Sequence, residues 1–407
     1  MRIVFYSQHV LGVGHLFRSL EIAAALAPHQ VDLVTGGEHV AVSLPPHVHH
    51  VRLPPLCMDA DFQRLQTVRP IPTKSHSSHP PETIFTERRH RLMEHVRATR
   101  PDLFLVELFP FGRKRFGFEL LPVLEAVRDG ELGRCRSVCS VRDILVEKRD
   151  PAKYESRVVH QLNTLFDLVL VHADPRLVRL EETFSRISDI EPAVEYTGYV
   201  VAPVDAEQGA RLRQSLGIAP REEMIVASIG GGAVGRELLE AVLEASALLQ
   251  LRRPHQLWIF TGPFMAEDVF AALAVRAAGL QRTHLRRFTD QFGVWLAAAN
   301  LSVSMAGYNT TMNLLAANTL GLVWPFAQNR EQAMRAERLE RFEMLSVLRS
   351  GDLVPERLTA RMEASLDAER AKWVQGAPRS HTAIDLDGAS ATRRILDAFC
   401  HGEAGNG

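Results

Sequence analysis

The sequence predicts an α/β protein with two Rossmann-like domains that face a central cleft. Apolar strands alternate with amphipathic helices in both halves of the 407-residue chain. A glycine loop follows the first strand of each half, with Gly12 and Gly14 in the first loop and Gly230–Gly232 in the second. Glycine and proline interrupt the alternation at 198–203, after which it restarts. We therefore place the domain boundary near 199–204.

Length and composition fit this architecture. A chain of 407 residues suits two domains of ordinary size, and its hydrophobic fraction of 46% is that of a soluble globular protein. The 47 basic and 48 acidic residues nearly cancel, so no global basic field favours nucleic acid as a partner. The four cysteines lack metal-ligand spacing and are typical of reduced cysteines in a cytoplasmic protein.

We expect neither a signal peptide nor a membrane helix. Met1-Arg2 leads straight into the first strand, and no apolar run approaches the ~20 residues that a membrane helix needs. Contact with a membrane surface is left open, as is the choice between monomer and homodimer.

The first strand, Arg2–Tyr6, is followed by the glycine loop and then by an amphipathic helix from Leu16 to Ala27. His15 lies between loop and helix. An imidazole with a pKa near 6.5 suits proton uptake at neutral pH, so His15 is a candidate general base. The alternative is a histidine that caps its own helix. Arg18, one turn further on, is expected to face the same crevice.

Two further carboxylates are candidate bases. Glu107 follows the strand Leu103–Val106, and Asp143 follows the strand Cys135–Val141. Side chains at the carboxyl ends of parallel strands face the ligand crevice. The alternative for Glu107 is a salt bridge to Arg113 or to Arg115.

Two stretches of the first half each allow two interpretations. Residues 113–115 are all basic and either hold a phosphate of the acceptor or are merely solvated. The proline-rich segment 54–81 is either a lid over the acceptor or a disordered loop. His39, His47, His49 and His50 cluster in the sequence but have no i,i+4 pair on a helix, so a metal site is not expected there.

In the second half, the strand 223–229 runs into Gly230–Gly232 and a helix over 236–249. Successive glycines free backbone N–H groups to surround an oxyanion, and the helix dipole adds to the attraction. No Gly-Lys-Ser/Thr follows, so this is not the P-loop of nucleotide hydrolases.

The strand Leu301–Ser304 ends at Ala306-Gly307, and the next helix is expected to start at about Asn309, whose side chain suits an N-cap. A second strand, Leu320–Trp324, leads to a helix that begins with Arg330, Glu331 and Gln332. Two strand ends and two helix starts are thus expected at one crevice.

These motifs carry a family resemblance. Gly307-Tyr-Asn-Thr310, Arg330-Glu-Gln332 and Glu107-Leu-Phe-Pro-Phe-Gly-Arg113 resemble motifs of bacterial nucleotide-sugar glycosyltransferases with two Rossmann domains, the GT-B architecture. The pattern is similar to that of the peptidoglycan N-acetylglucosaminyltransferase family, which uses UDP-N-acetylglucosamine. It is closer still to a group of bacterial proteins described as predicted glycosyltransferases. The resemblance spans nearly the whole chain.

The resemblance implies that the two domains bind different substrates. Residues 1–200 would form an acceptor domain, residues 201–384 a nucleotide-sugar donor domain, and residues 385–407 a helix that returns to the first domain. A sugar would move from a nucleotide diphosphate, UDP being expected, to a hydroxyl or amine of a small-molecule or lipid-linked acceptor. Helix N-termini and glycine N–H groups can stabilise the leaving diphosphate. Metal-independent transfer is therefore expected, with no cofactor besides the nucleotide-sugar co-substrate.

The resemblance also assigns residues. The implied donor-binding residues are Gly230, Gly231, Gly232, Phe288, Gly307, Asn309, Thr310, Asn313, Glu331 and Gln332. The acceptor-binding candidates are Gly12, Gly14, Arg18 and Arg113, and the candidate base is His15, which the resemblance favours, or Glu107 or Asp143, which their positions at strand ends suggest. Asn313 departs from the family, which has a glutamate there for the donor ribose. Asparagine keeps one acceptor oxygen and loses the charge, so ribose binding is weaker or rearranged.

Two rival functions stay open on the same architecture. One is a nucleotide-sugar 2-epimerase or hydrolase, which would consume the donor with no acceptor present. The second is a non-catalytic nucleotide-sugar-binding protein, for which Asn313 is the sequence hint.

Overall fold

A computed structural model describes residues 1–9, 14–38, 40, 42–58, 65–67, 81–326, 328–375 and 384–402. The chain divides into two compact units. The first unit comprises Met1–Val200 together with Asp387–Gly407, and the second comprises Val201–Leu386. Gly12 and most of the proline-rich segment 54–81 lie outside the described residues.

Strands and helices alternate along the described chain. The strands are β1 Arg2–Tyr6, β2 Gln30–Thr35, β3 Val48–Arg52, β4 Leu56–Met58, β5 Leu65–Thr67, β6 Leu103–Glu107, β7 Arg136–Arg142, β8 Leu168–His172, β9 Ala193–Tyr196, β10 Glu223–Ser228, β11 His255–Phe260, β12 Thr283–Arg286, β13 Leu301–Met305, β14 Gly321–Trp324 and β15 Ser346–Val347. The helices are α1 Gly14–Ala25, α2 Pro81–Thr99, α3 Gly117–Arg128, α4 Pro151–Leu165, α5 Ala206–Ser215, α6 Arg236–Gln250, α7 Glu267–Ala278, α8 Phe292–Ala298, α9 Tyr308–Ala316, α10 Arg330–Arg341, α11 Pro355–Gln375 and α12 Gly388–His401.

The first unit is built on a parallel sheet whose described strands follow the order β3-β2-β1-β6-β7-β8-β9. The short strands β4 and β5 form a separate antiparallel pair. Strands buried on both faces are mainly apolar, and β6 is buried at every position, with Leu103–Val106 apolar and Glu107 the one charged residue at its carboxyl end. Ile3, Phe5 and Leu105 lie in the core of this unit.

The second unit contains another parallel sheet, with its described strands in the order β12-β11-β10-β13-β14-β15. Ile225, Val303 and Leu322 from three neighbouring strands lie in its core, where α6 contributes Leu239 and Val242. Both sheets confirm the predicted α/β fold class of two Rossmann-like domains.

Helix α12 belongs to the first unit although it follows the second unit in sequence. Leu396 is fully buried in the core of the first unit. Asp397 Oδ1 lies 2.6 Å from His29 Nε2, and Arg136 Nη1 donates to the carbonyl of Phe399 at 2.7 Å. The predicted return of the C-terminal helix is therefore present in the structure.

Within the described ranges, no helix combines the length and the apolar character that spanning a membrane requires.

Leu396→Ala tests whether α12 is part of the first core. Removing a fully buried leucine leaves a cavity, so we expect the free energy of unfolding to fall by about 2–5 kcal/mol. Urea unfolding followed by intrinsic fluorescence measures the change. Leu251→Ala is the matched control, because Leu251 is 82% exposed and the same truncation there should cost less than about 0.5 kcal/mol. Equal costs at both positions would contradict the assignment.

Candidate functional site

Each sheet has one place where its strand order reverses. In the first sheet β1 pairs on one side with β2 and on the other with β6. In the second sheet β10 pairs with β11 and with β13. Open α/β sheets bind ligands beyond the carboxyl ends of the strands at this switch point. The loops after β1, β6, β10 and β13 are therefore the candidate binding loops.

The loops at the first switch point bring His15 and Glu107 together. His15 is the second residue of α1, and Glu107 is the last residue of β6. Nδ1 of His15 lies 2.7 Å from Oε1 of Glu107. Because an ionised carboxylate only accepts hydrogen bonds, Nδ1 carries the proton and Nε2 keeps the basic lone pair. Two residues that the sequence treats as rival bases thus form one dyad.

The surroundings fix the charges of the dyad. Burial lowers the pKa of His15 to about 3, although the Glu107 carboxylate opposes the shift. Burial alone would raise the pKa of Glu107, but His15, Arg18 and Arg113 outweigh it and hold that pKa below its usual range. At neutral pH the dyad is a neutral imidazole beside a carboxylate.

Accessibility distinguishes the three candidate bases. The side chain of His15 is 21% exposed, whereas Glu107 and Asp143 are fully buried. A substrate can therefore reach His15 directly. Arg18, expected to face the acceptor, is instead 3% exposed and donates from Nη2 to Oε1 of Glu107. Its observed role is to balance the charge of the buried carboxylate.

Three basic residues follow β6, and the structure separates them. Lys114 and Arg115 are exposed. Arg113 is partly buried, has a left-handed backbone with φ of 55°, and begins the turn that precedes α3. The salt bridge suggested between Glu107 and Arg113 or Arg115 is not the pairing observed, because Glu107 pairs with Arg18 and His15.

At the second switch point the glycine loop packs closely against the loop after β11. The backbone of Gly232 has φ of 91°, and a Cβ there would lie 2.5 Å from the carbonyl oxygen of Thr261. Phe264 N donates to the carbonyl of Gly231 at 2.9 Å. The chain at Gly230 also has positive φ. Glycine is therefore required at Gly232 both by conformation and by the space available.

Helix α9 starts at Tyr308, one residue before the predicted start, and Gly307 is its N-cap. No side chain caps this end. The prediction of an Asn309 cap was wrong because extended Gly307 itself precedes the first turn. Asn309 and Thr310 lie in that first turn. Thr310 is buried, and Asn309 is half-buried.

Asn313 is one helical turn beyond Asn309, and its Oδ1 faces Gly293 of α8, where an added Cβ would lie 3.6 Å away. Glu331 is 8% exposed in the first turn of α10. Gln332 Oε1 accepts from the backbone N–H of Phe326 at 3.1 Å, so this side chain also closes the loop before the helix. Donor contacts of these three residues stay predictions.

Phe288 follows the edge strand β12 and is 37% exposed. Its loop is tied to the glycine loops, because Gly262 N donates to the carbonyl of Arg287 at 2.7 Å. The sequence interpretation missed Gly262, although a glycine directly after a buried strand is a usable signal. It also missed Arg335, which is fully buried on α10 with its guanidinium 5.1 Å from the ring centre of Tyr308.

A second buried histidine, His172, ends β8, which is two strands away from β6 in the sheet. His172 Nε2 is 2.7 Å from Ser140 Oγ, and its Nδ1 is 2.9 Å from Thr197 Oγ1. Thr197 donates to the carbonyl of Gly198, so Nδ1 of His172 carries the proton and Nε2 accepts from Ser140. Burial lowers the pKa of His172 to about 3, and nearby Arg18 adds to this.

Metal-independent transfer stays a prediction. The chain contains two Asp-x-Asp sequences. Asp59-Ala-Asp61 lies outside the described residues, and Asp387 of Asp385-Leu-Asp387 precedes α12 and pairs with Arg394 at 3.0 Å. In the part of the chain that the structure describes, no group of three or more His, Cys, Asp or Glu residues is placed to hold a metal ion.

With this geometry in place, comparison with known proteins defines the class. Among similar solved structures, a glycosyltransferase from Rickettsia africae ESF-5 is 11% identical, with a TM-score of 0.61 over 100% of this chain and 99% of that chain. MurG from Acinetobacter baumannii is 13% identical, with a TM-score of 0.57 over 97% and 99%. A UGT transferase from Siraitia grosvenorii in complex with UDP is 14% identical, with a TM-score of 0.55 over 97% and 99%. The chain therefore has the GT-B fold.

The second unit gives a narrower match. Residues 226–381 match the family model of the glycosyltransferase family 28 C-terminal domain. No curated protein matches the chain. The predicted resemblance and enzyme class, a glycosyltransferase of the GT-B type, are confirmed at this level.

The buried His172 makes stability depend on pH. Its pKa is about 3 when folded and about 6.5 when unfolded, so between these values only the unfolded chain binds the proton. Stability is then lost as pH falls below about 6.5, by roughly 2 kcal/mol at pH 5 for this one group. His172→Asn should flatten the fall in unfolding free energy between pH 7 and pH 5. Exposed His160→Asn is the control, and an equal slope in both variants would contradict the assignment.

The two neighbouring glycines of the second loop should differ in their tolerance of alanine. Gly232→Ala forces a Cβ against Thr261 and Met265 at positive φ, so we expect a loss of about 1–3 kcal/mol and a lower Tm. Gly231→Ala is the matched control, because its Cβ would meet only Phe264, at an ordinary 3.7 Å. Calorimetry of both variants measures the difference. An unchanged Tm for Gly232→Ala would show that the loop can rearrange.

Proposed function

We propose that the protein transfers a sugar from a nucleotide diphosphate donor, best represented by a UDP-sugar, to an acceptor hydroxyl or amine. The His15–Glu107 dyad at the first switch point is the observation that carries the proposal. The family 28 match of residues 226–381 supports donor binding by the second unit. UDP is supported by the similar structure that was solved with it.

The dyad supplies the base. Nε2 of His15 accepts the proton of the acceptor hydroxyl while the acceptor oxygen forms a bond to the anomeric carbon of the donor sugar. Glu107 holds the imidazole through Nδ1 and stabilises the imidazolium that forms, as the carboxylate does in other acid–base dyads. His15 is neutral at pH 7, so Nε2 has a free lone pair, but a pKa of about 3 makes the imidazole a weaker base than the ordinary pKa near 6.5 would.

The second unit would stabilise the leaving group. As the new bond forms, the bond between the anomeric carbon and the diphosphate oxygen breaks, and both electrons go to that oxygen. Backbone N–H groups of the glycine loop at 230–232 and of the first turn of α9 can bind the resulting negative charge. The glycine loop is held in place by hydrogen bonds that join the loops after β10, β11 and β12.

The test is UDP binding to the purified protein, followed by product analysis with UDP-sugars. A bound UDP and a glycosylated acceptor support the proposal. Donor consumption with no acceptor present indicates the epimerase or hydrolase instead. Binding without any turnover indicates the nucleotide-sugar-binding protein.

His15→Ala removes the proposed base. We expect turnover to fall about 10²–10⁴-fold, because general-base catalysis contributes that much, while UDP affinity stays within a few-fold. Steady-state kinetics and calorimetry with UDP give the two values. His49→Ala is the matched control, because His49 is 74% exposed on β3. If turnover by His15→Ala is unchanged, the base is a different group.

A further inference from the structure

The first unit contains a cation whose hydrogen-bonding groups are only partly used. Nε and Nη2 of Arg113 are buried, and neither has a hydrogen-bond partner among the described residues. These two nitrogens form the side-on fork of a guanidinium, which matches the two oxygens of a carboxylate or phosphate. The neighbouring Lys114 and Arg115 point to solvent.

Glu107 forms no hydrogen bond with this fork. Oε1 of Glu107 already accepts from His15 and Arg18, and Oε2 is buried with no hydrogen-bond partner among the described residues. Nδ1 of His9 is a third such atom, because its Nε2 donates to the carbonyl of Glu38 at 2.7 Å. One fork of donors and two separate acceptor atoms are thus left for a ligand or solvent.

These atoms lie at one edge of the first sheet, because His9 follows β1, Glu107 ends β6, Arg113 follows β6, and β1 and β6 are neighbouring parallel strands. The guanidinium charge of Arg113 acts on the pKa of His9, His15 and Glu107. Arg142, the last residue of β7, acts in turn on the pKa of Arg113.

We propose that Arg113 binds an oxyanion of the acceptor, a carboxylate or a phosphate, beside the His15–Glu107 dyad; this inference rests on the proposed function. A hydroxyl-bearing anion complements both the fork and the proposed base. Its oxyanion receives two hydrogen bonds from the fork of Arg113, and a hydroxyl group of the same molecule donates to Nε2 of His15, whose side chain is 21% exposed. The acceptor class is therefore a hydroxylated carboxylate or phosphate ester.

Inorganic phosphate is the first probe. Its binding to the full chain is measured by calorimetry with and without saturating UDP. We expect Arg113→Gln to weaken phosphate binding at least tenfold. Arg113→Lys keeps the charge but loses the fork, so its loss should be intermediate. Arg115→Gln is the matched control, with affinity within twofold of the wild type. Circular dichroism and Tm establish that each variant is folded.

UDP binding separates this proposal from the proposed function. If the wild-type protein does not bind UDP, the donor assignment is contradicted. Phosphate binding measured in the absence of UDP still tests the role of Arg113. Equal phosphate affinity in wild type and Arg113→Gln would overturn the anion site. Phosphate that UDP displaces completely would place the oxyanion on the donor and also overturn the acceptor assignment.

Matched acceptors decide between the two oxyanions. Glycerol, glycerol 3-phosphate and glyceric acid are compared as acceptors with a UDP-sugar. An anionic acceptor should exceed glycerol at least tenfold in kcat/KM, and Arg113→Gln should remove the preference mainly through KM. Equal use of all three acceptors by the wild type would contradict the proposal. If none is used, the phosphate titration alone decides it.

Discussion

Parallel pairing of β1 with β6, and of β10 with β13, determines where chemistry can take place in each unit. Parallel strands end at the same edge of a sheet. Where the strand order reverses, the loops after two neighbouring strands run to opposite faces of the sheet and leave a crevice between them. His15 and Glu107 are 92 residues apart in sequence and meet because β1 and β6 are neighbours. The glycine loop after β10 and the start of α9 are brought to a common edge in the same way.

The buried carboxylate of Glu107 shows the energetic side of this arrangement. An isolated charge in a protein interior costs several kcal/mol, so it must be paired. Arg18 and His15 supply the pairing through a single oxygen, Oε1. Glu107 also accepts the hydrogen bond from Nδ1 of His15, so the buried carboxylate determines which imidazole nitrogen keeps its lone pair.

Much of the fold follows from local patterns in the sequence. Continuous apolar runs such as Arg2–Tyr6 identify strands buried on both faces, and polar residues directly after them identify the loops at the binding edge. Position at a strand end was enough to single out Glu107 and the glycine loop. The GT-B architecture itself came from the motif resemblance.

Contacts between distant residues could not be predicted in this way. The pairing of Arg18 with Glu107 joins residues 89 positions apart, whereas the residue pattern favoured Arg113 and Arg115 equally as partners. The inward position of Arg113 depends on a left-handed turn that no residue pattern indicates. Oε1 of Gln332 accepts a hydrogen bond from the backbone N–H of Phe326, and this contact depends on the path of the loop before α10.

The return of α12 has a consequence for biosynthesis. Leu396 fills part of the first core, yet the 186 residues of Val201–Leu386 are made before the ribosome reaches that helix. At roughly 5–20 residues per second this delay is about 10–40 s. During that time the apolar surface that α12 covers is exposed on the nascent chain. Synthesis of the first unit thus begins before that of the second unit and is completed after it. Chaperones have this interval in which to bind the first unit.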